Sequence, residues 1–67
     1  MTNVSMLKSI VEKKGVKQWK IAEAIHVSMP TRARKLNGES EWMQSEIVAI
    51  RDYLSLTDAE ITQIFLS

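Results

Sequence analysis

The chain contains no cysteine, which excludes disulfide staples and thiolate metal sites. It has a single histidine, His26, so an imidazole metal site has no second ring to complete it. One proline and two glycines among 67 residues leave few forced breaks and no linker-like stretch. Aromatic residues make up only 6%, so any core must be built largely from aliphatic side chains. No segment approaches the roughly 20 apolar residues that span a bilayer. There is no Gly-rich phosphate loop, no serine with a base partner and no carboxylate pair suited to acid–base work. The expectation is therefore a protein that is not an enzyme, with no cofactor and no metal. A single domain over residues 1–67 buries only about 60% of its unfolded surface, so its stability is marginal. Missing cysteines and membrane spans together predict a soluble, cytoplasmic protein.

What is present is charge, and it is unevenly placed. The net charge is +1, but residues 1–38 carry Lys8, Lys13, Lys14, Lys17, Lys20, Arg32, Arg34 and Lys35 against Glu12 and Glu23, a balance of +6. Residues 39–67 carry only Arg51 against Glu39, Glu41, Glu46, Asp52, Asp58 and Glu60, a balance of −5. Such asymmetry predicts a basic face for a polyanion and an acidic remainder turned away from it.

Apolar spacing divides the chain into five short helices, an all-α domain. Leu7, Ile10 and Val11, preceded by Met6, mark helix 1 from about Ser5 to Lys14, stopped by Gly15. Ile21, Ala22 and Ile25 form the buried stripe of helix 2, from about Gln18 to Ile25, with Trp19 as a partly exposed lid. Pro30 fits only a first turn, so helix 3 starts at Ser28 or Met29 with Ser28 as N-cap. It ends near Leu36, where Asn37-Gly38 supplies a left-handed exit. Ile47, Ile50 and Leu54 give helix 4 from about Gln44 to Leu54, with Trp42 as a core anchor where that helix begins. Thr57 and Glu60 make a capping box, so helix 5 begins at Asp58 and carries Ile61, Ile64 and Phe65. The segment from Gln18 to Gly38, an amphipathic helix, a tight turn and a basic second helix, has the form of a helix-turn-helix.

Three stretches carry a resemblance: GVKQWKIAEAIHVS, RARKLNGES and SEIVAIRDYLSLTDAEITQIF. They resemble, in turn, the second helix, the end of the recognition helix and the closing helices of phage Cro/repressor-type (XRE-like) helix-turn-helix proteins. The resemblance covers nearly the whole chain and implies a compact five-helix, lambda-repressor-like domain. It implies that Gln18 bonds a phosphate and braces the first residue of the recognition helix, that Ala22 allows helices 2 and 3 to approach, and that Ser28 to Thr31 meet base edges. It also implies that backbone N–H groups at Asn37 and Gly38 face phosphate.

Four positions depart from the family pattern. His26 stands where a glycine is preferred, at a cost of about 1 kcal/mol if the backbone there is left-handed. Lys17 replaces the usual N-cap of helix 2. Met29 and Pro30 offer few hydrogen bonds to bases. Arg32 falls, without a gap, on a normally buried apolar position. Placing Met29, Ala33 and Leu36 inward instead, at spacing i, i+4, i+7, sends Thr31, Arg34 and Lys35 outward, with Arg32 and Ser28 flanking them. That register is the expected one, because a buried unpaired arginine is costly.

The expected function is operator binding by a transcriptional regulator in a bacterial host cell, with double-stranded DNA as partner. Arg34 is the candidate guanine reader, and Lys17, Lys20 and Lys35 are candidate phosphate contacts. Thr31 and Met29 are candidates for a thymine methyl. Gln18, Ser28, Pro30, Arg32 and Asn37 complete the expected DNA-binding set. A homodimer would form through Ile61, Ile64, Phe65 and Leu66. The alternative expectation is a modulator that uses the same fold and the same apolar strip to contact another regulator.

Overall fold

The first helix forms where Asn3 accepts the Met6 N–H at 3.2 Å, one residue earlier than the spacing predicts. A computed structural model describes residues 2–66. Within them lie five helices and no strand: α1 (Val4–Lys14), α2 (Gln18–Ala24), α3 (Met29–Leu36), α4 (Gln44–Leu54) and α5 (Asp58–Phe65). The capping signals act as the sequence reading expects. Ser28 caps α3 through the Thr31 N–H at 3.4 Å. Thr57 and Glu60 exchange bonds of 3.1 and 2.8 Å at the start of α5. Lys17 gives α2 no side-chain cap.

The helices close on one small aliphatic core. Leu7, Ile21, Ile50, Leu54 and Ile64 are fully buried, one or two from each of four helices. Burial of each such side chain contributes about 1.5–3 kcal/mol. Ile10, Val11, Ile25, Leu36 and Leu56 complete the cluster. Helix α2 packs on α3 and α4, and α1 packs on α3 and α5. The Asn3 N–H also donates to the Ile64 carbonyl at 2.6 Å, tying the start of α1 to α5.

Two left-handed residues set the ends of α2 and α3. His26 has φ 61, and its N–H and that of Val27 return to the Glu23 and Ala22 carbonyls at 3.2 and 3.0 Å. The strain expected of a non-glycine there is real, and these paired closing bonds hold it. Gly38, with φ 77, does the same for α3: its N–H reaches Lys35 and the next N–H, of Glu39, reaches Arg34 at 2.8 Å. Asn37 itself keeps φ −91, so the left-handed exit belongs to Gly38 alone. A Cβ on Gly38 would lie 2.9 Å from Val4 Cγ2, a second reason for glycine at this position.

Candidate nucleic-acid interface

The surface around α2, its turn and α3 gathers most of the residues expected to meet DNA. Lys17, Gln18 and Lys20 are exposed along the start of α2. Ser28, Met29 and Pro30 are exposed at the N-terminal tip of α3, and Arg34 and Asn37 are exposed further along it. Thr31 is partly buried and works as a local tether. Its hydroxyl oxygen accepts from the Ser28 hydroxyl at 3.0 Å and from Arg34 Nη2 at 3.3 Å. Arg34 thus points outward with part of its guanidinium held and the rest free.

The phase of α3 differs from the expected one. Its buried residues are Lys35 and Leu36, whereas Arg32 and Ala33 are both partly buried and Met29 is 42% exposed. Lys35 is a structural residue and not a phosphate ligand. It is 5% exposed, and its ammonium donates to Glu46 at 2.8 Å and to the Glu41 carbonyl at 2.7 Å. The same Glu46 oxygen accepts the Met43 N–H at 2.7 Å, which caps α4. Trp42 closes the node by donating its indole N–H to the Lys35 carbonyl at 3.1 Å. Lysine can lie here because its aliphatic stem packs while Glu46 and a carbonyl receive the charge.

Arg32 faces α2. It is partly buried, Nη1 donates to the Gln18 carboxamide oxygen, and Nε is buried without a hydrogen-bond partner. Gln18 therefore bonds α3 at Arg32, whereas the resemblance implies the first residue of that helix. An open groove of about 670 Å³ lies beside this pair, lined by Lys8, Val11, Glu12 and Asn37 among others. The N–H groups of Asn37 and Gly38 are spent on α3's own carbonyls, so they are not free for phosphate. The expected dimer strip is also reduced: Ile64 is fully buried, Ile61 and Phe65 are partly buried, and only Leu66 stands out, at 75% exposure.

One residue that the sequence reading did not include now joins the surface. Trp19 is 51% exposed, with the Lys20 ammonium 5.5 Å from its ring centre. The signal was an aromatic between two exposed polar residues, Gln18 and Lys20, at positions the apolar stripe of α2 does not use.

The family described as "Protein of unknown function (DUF739)" matches residues 3–67. The chain belongs to the DUF739 family. No curated protein and no solved structure matches it. The DUF739 match spans all five helices, so the α2–α3 surface lies inside the unit that defines the family. Among the described residues no group of His, Asp or Glu is placed to hold a metal ion. No helix among them is long and apolar enough to cross a membrane.

Proposed function

We propose that this protein is a sequence-specific DNA-binding regulator in which α2, the His26 turn and α3 act as a helix-turn-helix. The observation that carries the reading is Arg34. It lies on the outward face of α3, is steadied by Thr31, and forms no ion pair with a carboxylate among the described residues. A bidentate contact from such a guanidinium to guanine discriminates by about 1–3 kcal/mol. Lys17, Lys20 and Gln18 flank it on the start of α2 and suit phosphate contacts, which fix register without reading sequence. Ser28, Met29 and Pro30 at the tip of α3 present small polar and apolar groups, chemistry that fits a thymine methyl or a groove wall. The resemblance to Cro/repressor-type proteins supports the same assignment and a cytoplasmic setting in a bacterial host.

The test is binding of the purified chain to DNA fragments from its own genome neighbourhood across a salt series. Saturable binding to one fragment is expected, with log K falling by about 0.9 per phosphate neutralised for each unit of log salt. Arg34→Ala should reduce the preference for that fragment by about 1–3 kcal/mol, and Lys17→Ala should weaken all fragments alike. Weak binding that is equal for every fragment would overturn the reading and turn attention to a regulator protein as the partner.

A further inference from the structure

A second groove, of about 370 Å³, lies between the α3–α4 loop and the end of α5. Its walls are Trp42, Ile47 and Phe65, and its rim carries Glu39 and Glu41. The aromatic rings meet edge to face at 5.2 Å. This loop is fixed from below: the Glu39 N–H is bonded to Arg34, the Glu41 carbonyl to Lys35 Nζ, and the Trp42 indole to the Lys35 carbonyl. Both carboxylates are nonetheless exposed, and neither forms an ion pair among the described residues. Rigid backbone beneath free charges makes a pre-organised receptor, which binds with little ordering cost. A long aliphatic stem ending in an ammonium fits it, with the stem along the rings and the charge at the carboxylates.

The chain itself supplies such a group. Lys13 and Lys14 lie in the last turn of α1, exposed and without an ion pair among the described residues. They are also outside the surface proposed for DNA. A two-fold contact centred on the groove would set the Glu39 and Glu41 rim against its own copy, like charge on like. A contact between unlike patches instead sets the exposed Glu39 and Glu41 of one copy against the exposed Lys13 and Lys14 of another.

We infer that the Trp42–Phe65 groove receives the Lys13–Lys14 turn of a second copy. The inference is independent of the DNA reading, since its test contains no DNA.

Sedimentation at about 0.01 M salt, where screening reaches about 30 Å, should show wild-type mass rising with concentration. At about 1 M salt, where screening falls to about 3 Å, the chain should sediment as a monomer. Lys13→Ala/Lys14→Ala and Glu39→Gln/Glu41→Gln should each be monomeric at low salt. All four side chains are exposed, and unchanged helical circular dichroism checks that each variant is folded. Mixed in equal amounts, the two variants should form a species of twice the monomer mass that grows no further, because only one complementary contact remains. A wild-type chain that stays monomeric at low salt overturns the inference, as does association that survives high salt. So does self-association of either variant, or a mixture that stays monomeric.

Discussion

Two neighbouring cations on α3, Arg34 and Lys35, have opposite fates. Arg34 is exposed and held only by a hydroxyl, whereas Lys35 is buried and spends its charge on Glu46 and the Glu41 carbonyl. One face of the helix is open to solvent, and the other locks α3 to the start of α4. A count of basic residues treats the two alike. The contrast shows that a cation belongs to a binding surface only when no internal acceptor has claimed it.

The largest expected effect comes from breaking the inward face. Lys35→Ala leaves the Glu46 carboxylate buried without its cation, and urea unfolding should register a loss of about 3–5 kcal/mol. Pairing Lys35→Met with Glu46→Gln removes both charges while keeping an acceptor for the Met43 N–H, and should recover most of that loss. Failure to recover would mean that the node stabilises through the Glu41 carbonyl and not through the ion pair. A smaller effect is expected at the end of the helix. Gly38→Ala meets both a left-handed backbone and Val4, and should cost about 2 kcal/mol in the same measurement. The smallest stability effect tests the outward face: Arg34→Ala should move unfolding by no more than about 0.5 kcal/mol. The same variant should lose about 1–3 kcal/mol of discrimination between DNA fragments. An Arg34 variant as unstable as the Lys35 one would erase the distinction between the faces.

The helices were legible because their signals are local. The Ser28 cap, the Pro30 position, the Thr57–Glu60 box and the apolar stripes of α1, α2 and α4 each act within a few residues. The strand-free, five-helix plan follows from them. The phase of α3 was not legible. It is only eight residues long, with three strong candidates for burial, Met29, Ala33 and Leu36. That stripe is too short to fix a rotation, so a partner elsewhere decides it. Glu46 is that partner, and nothing near Lys35 in the chain announces it.

The same reason explains the other corrections. Gln18 is expected at the first residue of the recognition helix, but it bonds Arg32, a turn further on, because the rotation of α3 carries that side chain toward α2. The N–H groups of Asn37 and Gly38 are consumed by the closing bonds of α3 and so leave the candidate surface. Ile64 leaves the expected dimer strip because α5 packs on α1 and buries it.

By itself the sequence determined helix number, the Ser28 and Thr57 caps and the Gly15 and Gly38 stops, since each depends on neighbours within a turn or two. Only the tertiary structure decided which cations are free, which carboxylates are claimed and which apolar residues remain outside. Those outcomes depend on which helix faces which, and a short amphipathic helix takes its rotation from its neighbours.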